Sequence, residues 1–298
     1  MSAHARGILA NVLWGLVPLY YLFVRAVDPL NMLIYRSLFT FLILTLLGLL
    51  RFQVFSFRKL RSSLVPALLL ALNGYVYIVA VLNGQVIEAA YGYLITPILI
   101  ILCGRVLLGE KLTGPQWLGV GLCFIAITYY ATAMATLPWY GLGIALPFAL
   151  YSTLHKKSRT VDAIGALRHE MVIMFALAAG FVVYFWNDMR EEMMTELGGT
   201  SGLIVILSGP VTVLPLVLFL GVCSKLTALH LGIYQFISPI LSSLIAVTLF
   251  DDPLSAPKLT TGTILVIGMA FAVLPSSIFV RVMFVLSRLF PSLCRKSA

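Results

Sequence analysis

Residues 86–108 read VIEAAYGYLITPILIILCGRVLL, an apolar run with Glu88 close to its start and Arg105 close to its end. A helix that crosses the hydrocarbon core of a bilayer takes about 20 apolar residues, and a barrel strand about ten with strict alternation. The run is too long and too uniformly apolar for a strand, so it reads as a membrane-spanning helix. Working outward, the stretches 7–25, 29–50, 64–82, 114–134, 138–154, 163–186, 202–224, 227–250 and 257–280 have the same character. The 298-residue chain is 61% hydrophobic and 10% charged, with mean hydropathy +1.03. A soluble domain carries about 25% charged residues, because its surface faces water. This chain lacks the polar material to cover a globule, and lipid must solvate most of its exterior. The expected fold class is an all-α membrane protein with ten transmembrane helices. Nothing before Gly7 resembles a cleavable leader, so the first span is expected to be retained.

The same run carries the evidence for a repeat. Laid 142 positions onward, Ile95, Pro97, Ile98, Leu107, Leu112 and Pro115 meet Ile237, Pro239, Ile240, Leu249, Leu254 and Pro257. Glu110 meets Asp252, and Thr113 meets Ser255. At an offset of 134, Gly7, Asp28, Leu33 and Phe41 meet Gly141, Asp162, Leu167 and Phe175, the connection over 187–201 accounting for the change. Five spans per copy return the chain on the opposite side, so the second copy sits upside down. The expected organisation is two inverted five-helix repeats, residues 1–136 and 137–280, followed by a basic tail over 281–298. Inverted repeats around a midplane site are a recurring transporter design.

The net charge of +9 follows the loops rather than one face. Of the 20 Lys and Arg residues, Arg25, Arg190 and Lys258 fall in segments on one side, and Arg36 and Arg168 fall within spans. The remaining fifteen fall on the other side, which the positive-inside rule makes cytoplasmic. Both termini are therefore expected inside, in the cell inner (plasma) membrane. This distribution argues against nucleic acid as a partner. The four cysteines, Cys103, Cys123, Cys223 and Cys294, form no CxxC and read as apolar filler.

A charge inside the hydrocarbon is costly unless it is paired or faces a cavity. The candidates are Arg36, about two turns into the second span, Glu88 at the start of the fourth, His169 and Glu170 in the seventh, and His230 at the start of the ninth. The repeat relates Arg36 to Glu170 and Glu88 to His230. An Arg36–Glu88 network in the outer half and a Glu170–His230 pair in the inner half are therefore expected, either beside a cavity or as structural ties between helices. Trp14, Asn73, Tyr77, Tyr93, Tyr234 and Gln235 are candidates to line that cavity; the aromatics would stack on an organic substrate or pack helices together, and Asn73 and Gln235 need hydrogen-bond partners where buried. Pro97 and Pro239 suggest bent, pore-facing helices in the fourth and ninth spans.

Enzyme signatures fail. His169-Glu170 begins like the zinc motif HExxH, but Ile173 occupies the second histidine position. No metal, cofactor or ATP-binding loop is expected. The basic, aromatic tail suits an interfacial helix on anionic lipid.

The chain resembles the EamA-type permeases of the drug/metabolite transporter superfamily, in particular the RarD-like branch. The resemblance is carried by Trp14-Gly15 with Pro18-Leu19-Tyr20, Tyr35-Arg36, Glu88-Ala89 with Gly92-Tyr93 and Pro97, Leu108-Gly109-Glu110, Gln116-Trp117, Tyr151 with Lys156-Lys157, and Gln235-Phe236 with Pro239. It implies inverted repeats and export or exchange of small organic solutes by alternating access. Three departures stand out. Tyr35 precedes the arginine where the family has histidine, Asp251-Asp252 replaces a second Gly-Glu, and His169 takes the position of a glutamate now at Glu170. The leading expectation is a permease for a small metabolite or drug, with protons as a coupling ion and Arg36 as an anchor for a substrate carboxylate. A lipid flippase or an accessory membrane subunit without a solute cavity is the alternative, and a homodimer is left open.

Overall fold

The computed structural model describes residues 2–50, 56–158, 163–198, 200–223, 226 and 233–273. Among the described residues every regular element is a helix. In chain order they are α1 (Ala3–Leu22), α2 (Pro29–Leu50), α3 (Phe57–Ser62), α4 (Leu64–Leu82), α5 (Val86–Leu108), α6 (Gly114–Met134), α7 (Trp139–Lys157), α8 (Ala163–Tyr184), α9 (Trp186–Leu197), α10 (Thr200–Ile206), α11 (Ser208–Cys223), α12 (Ile237–Leu249) and α13 (Ala256–Val273). Among the described residues, eight stretches are long and apolar enough to cross a membrane: α1, α2, α4, α5, α6, α8, α13 and the continuous Gly202–Phe219 through α10 and α11. Ile233–Leu249, which contains α12, is a shorter apolar helix. Helix α7 matches them in length but ends on His155, Lys156 and Lys157. The protein is an all-α membrane protein.

Two boundaries differ from the sequence expectation. The apolar run 138–154 continues as helix to Lys157, because cations in a last helical turn complement the C-terminal carbonyls. The 187–201 connection, expected as a loop, contains most of helix α9. Met193 of α9 packs against the core while Glu191 and Glu192 face outward. His230 and the 281–298 tail lie outside the described residues, as does Cys294.

Contacts between helix ends fix the direction of each helix. Where α1 finishes and α2 begins, Asp28 N–H donates to Glu196 of α9 and the Tyr20 hydroxyl donates to Ile204 O of α10. At this same end Glu88, at the start of α5, accepts from Tyr140 N–H at the start of α7, and Arg25 donates to Leu249 O at the end of α12. At the opposite end Lys156 of α7 meets Glu110, just after α5, and His4 of α1 meets Tyr234, just before α12. The long helices therefore alternate in direction between an Asp28 end and a Lys156 end.

The larger buried cluster lies towards the Asp28 end, with Tyr21, Met32, Tyr35, Tyr77, Ile78 and Ile87 among its members. A smaller one, with Leu44, Ala67, Leu167 and Met171, lies towards the Lys156 end. Helix α5 packs on α7 and α12 packs on α1; α4 packs on α7 and α11 on α1; α2 meets α8, and α6 meets α13. Glycine makes the closest approach possible. A Cβ on Gly119 of α6 would stand 2.6 Å from Gly268 O of α13, and one on Gly141 of α7 would stand 3.0 Å from Glu88 O of α5.

The turn after α5 recurs after α12. Gly109 has φ 69° and Glu110 N–H donates to Gly104 O at 3.2 Å; Asp251 has φ 51° and Asp252 N–H donates to Ala246 O at 3.3 Å. Each residue of the first turn stands 142 positions before its counterpart. Asp is among the few side chains that tolerate the left-handed region, so Asp251 fills a position otherwise suited to glycine. That accounts for Asp251-Asp252 standing where Gly-Glu is expected.

Candidate functional site

The main cavity has a volume of about 600 Å³ and is walled by α1, α2, α4, α5, α7, α8, α11 and α12. Its wall along α7 runs from Ile144 to Lys156, roughly 18 Å at the helical rise. Lys156, on the wall, has a side chain 58% exposed, so the cavity reaches solvent at that end. Towards the Asp28 end it is closed by Tyr20, Tyr21, Tyr77 and Tyr93. Tyr77 stands edge-on to both Tyr21 and Tyr93, with centroids 5.9 and 6.0 Å away.

Arg36 sits at this closed floor. Its guanidinium lies over Gly74 of α4, where a Cβ would stand 3.1 Å from both terminal nitrogens. The absence of a side chain on Gly74 is what lets the planar group lie flat against the helix. Among the described residues no carboxylate stands within ion-pair distance of Arg36. One turn along α2, Thr40 also lines the cavity, as does Ser238 of α12 across from it. Both side chains are almost fully buried, and among the described residues their hydroxyls have no hydrogen-bond partner.

Trp14, Asn73, Tyr77, Tyr93 and Gln235 all line the cavity. Trp14 packs on Phe219 with centroids 5.2 Å apart, and the Asn73 amide donates to Ile144 O at 2.8 Å, tying α4 to α7. Tyr234 lies elsewhere, donating to or accepting from His4 Nδ1 at 2.7 Å. His169 is also off the cavity. Its Nδ1 lies 2.6 Å from Gly165 O and must carry the proton, leaving Nε2 to accept from Ser56 N–H at 3.1 Å. That arrangement fastens the approach to α3 onto α8.

The expected Arg36–Glu88 network does not form. Glu88 accepts from the Tyr130 hydroxyl at 3.1 Å and from Tyr140 N–H at 3.2 Å. It faces α6 and α7, whereas Arg36 faces α4. Glu170 is fully buried and, among the described residues, takes its partners from α7. The Tyr151 hydroxyl donates to Oε2 at 3.0 Å, and His155 Nε2 stands 2.8 Å from Oε1. Tyr151 and His155 line the cavity and Glu170 stands behind them. Sequence reading passed over His155 and Gly74. The spacing Tyr151–His155, one helical turn, was the signal for the first; Gly74 gave none.

Outside the spans, Glu196 of α9 is buried against α2. It accepts from Asp28 N–H at 2.8 Å, the Asn31 amide at 3.0 Å and the Tyr35 hydroxyl at 2.8 Å. Burial pushes its carboxyl above the ordinary range, against the lowering effect of these donors. Tyr35 is thus committed to holding α9.

Residues 1–132 match the EamA-like transporter family. An uncharacterised transporter of Pseudomonas aeruginosa is 32% identical over 262 residues, spanning 85% of this chain and 87% of that one. The uncharacterised transporter YojE of Bacillus subtilis is 30% identical over 260 residues, 84% and 86% of the two chains. The protein RarD of Escherichia coli is 28% identical over 274 residues, 90% and 92%. A solved crystal structure at 20% identity superposes with a TM-score of 0.57, covering 91% of this chain and 96% of that one, and so shares the fold.

Proposed function

The chain belongs to the EamA-like transporter family, as a RarD-like membrane permease, and from that premise we propose that it moves a small organic solute across the inner membrane by alternating access. The observation that carries this reading is the cavity, walled by helices from both halves of the chain, closed at the Asp28 end and reaching solvent at the Lys156 end. A cavity floored by Arg36 and walled by helices from both halves favours a solute permease over a lipid flippase.

The two halves, 1–136 and 137–280, are an inverted repeat in this reading, with 281–298 as a basic tail. The recurring turn at Gly109 and Asp251 supports it, as do the packing pairs α5–α7 with α12–α1 and α4–α7 with α11–α1. The close approach of Gly141 to Gly92 is answered by that of Gly7 to Tyr234, the same positions under offsets of 134 and 142. The Lys and Arg bias supports a topology with the Lys156 end and both termini in the cytoplasm. The conformation described is then inward-open, and its closed gate is the tyrosine floor. His155 on the cavity wall, with Glu170 behind it, is where a coupling proton would be held.

The test is untargeted metabolite profiling of cells with and without the protein, followed by counterflow of the enriched solute in proteoliposomes. Arg36→Lys should lower counterflow while membrane yield stays near normal, because a point charge does not replace the planar fork. Counterflow unchanged by Arg36→Lys would remove Arg36 from the site.

A further inference from the structure

Among the described residues, the basic side chains on the cavity wall are placed in one of two ways. Lys156 is neutralised by Glu110 at 2.7 Å, and His155 stands against Glu170 at 2.8 Å. Arg36 has no carboxylate within reach. The chain has 11 acidic residues, of which only Asp162 lies outside the described residues, and none of the others lines the cavity. Glu170 is sealed behind Tyr151 and His155, and Glu110 is paired with Lys156.

Resting on the permease reading, we propose that the solute is an organic monocarboxylate with a flat apolar or aromatic body and no amino group. The carboxylate seats on the Arg36 fork and takes a further hydrogen bond from the Thr40 hydroxyl, one turn away on α2. A planar guanidinium matches a carboxylate through two parallel hydrogen bonds, and binding there gives the half-buried Arg36 charge its counter-ion. The body then lies against Trp14, Tyr93 and Phe148, whose rings bury a flat solute without needing charge. A cation would meet Arg36 with no acid to offset it. A zwitterionic amino acid would leave its ammonium without a carboxylate partner in an apolar cavity. Both are therefore disfavoured by the same wall that favours the anion.

Three probes sharing one phenyl body separate these cases: phenylacetate, phenylalanine and phenethylamine, titrated into the purified wild-type protein by calorimetry. Phenylacetate is expected to bind at least about tenfold more tightly than either of the others, the scale of a charge-assisted hydrogen-bond pair. Thr40→Val, a near-isosteric change, should weaken phenylacetate severalfold without disturbing the fold, and Arg36→Gln should remove the preference for the anion. Equal or tighter binding of phenethylamine or phenylalanine would overturn the class, and so would the lack of saturable phenylacetate binding. Neither result touches the permease reading, which stands or falls on counterflow of the profiled metabolite.

Discussion

The two ends of the helical bundle use their carboxylates differently. At the Asp28 end, Asp252, Glu88 and Glu196 each accept a backbone N–H at the start of a helix: Ile87 of α5, Tyr140 of α7 and Asp28 before α2. At the Lys156 end, Glu110 and Glu170 instead meet the Lys156 and His155 side chains from the last turn of α7. Caps on helix N-termini satisfy orphan donors and suit the helix dipole, and they hold only while the helices stay together. Pairs between long side chains tolerate sliding. The closed end is thus fastened through buried carboxylates that cap backbone N–H groups, one of them also paired with Lys258. The open end is fastened through partly exposed side-chain pairs, a division that fits a cavity whose mouth lies at Lys156.

The largest effect should come from the fastened end. Asp252→Ala removes the acceptor of Ile87 N–H and leaves Lys258, only 7% exposed, without its counter-ion. Unfolding of the purified protein should show a loss of about 3–5 kcal/mol. Lys156→Ala, breaking a pair that is about half exposed at the other end, should cost under about 1 kcal/mol. Comparable losses at both ends would erase the distinction.

A second prediction sharpens the link between floor and function. Gly74→Ala puts a methyl 3.1 Å from the Arg36 nitrogens, so the guanidinium must lift from its seat. Solute affinity should fall several-fold, with membrane yield little changed. Unaltered binding would show that the seat of Arg36 is immaterial.

The smallest effect concerns α9. The Glu196 carboxyl is raised by burial, so the folded state favours the protonated form. The sign follows: this contribution is present below the ordinary carboxylate range and is lost as pH rises through the raised value. Protection of α9 in hydrogen exchange should therefore increase on acidification, and Glu196→Gln should flatten that dependence. Greater protection at alkaline pH would reverse the assignment.

Much of this fold was legible because a helix in lipid must be apolar along its length, and such runs show directly in the sequence. Helix α9 was not legible, since its residues lie at a surface and carry charges at the frequency of a loop. His155 was missed for a related reason: the Lys156-Lys157 pair ends the apolar run just where the helix continues. The Arg36–Glu88 expectation used depth alone, which helical rise supplies, but which neighbour a side chain faces depends on helix rotation. Glu88 turned towards Tyr130 and Tyr140, and the acid and the arginine ended on different walls. The offset of 142 carried further, because a turn needing a left-handed residue marks its own position in both copies.

The central claim is a cavity open to the cytoplasm and closed to the outside. It can be read from one labelling measurement on a cysteine-free background, with Ser152→Cys on the cavity wall and Thr195→Cys on the exposed face of α9. A membrane-impermeant maleimide should modify Ser152→Cys in inside-out vesicles and Thr195→Cys in right-side-out vesicles. Modification of Ser152→Cys only from the outside, or of Thr195→Cys only from the cytoplasmic side, would contradict the account.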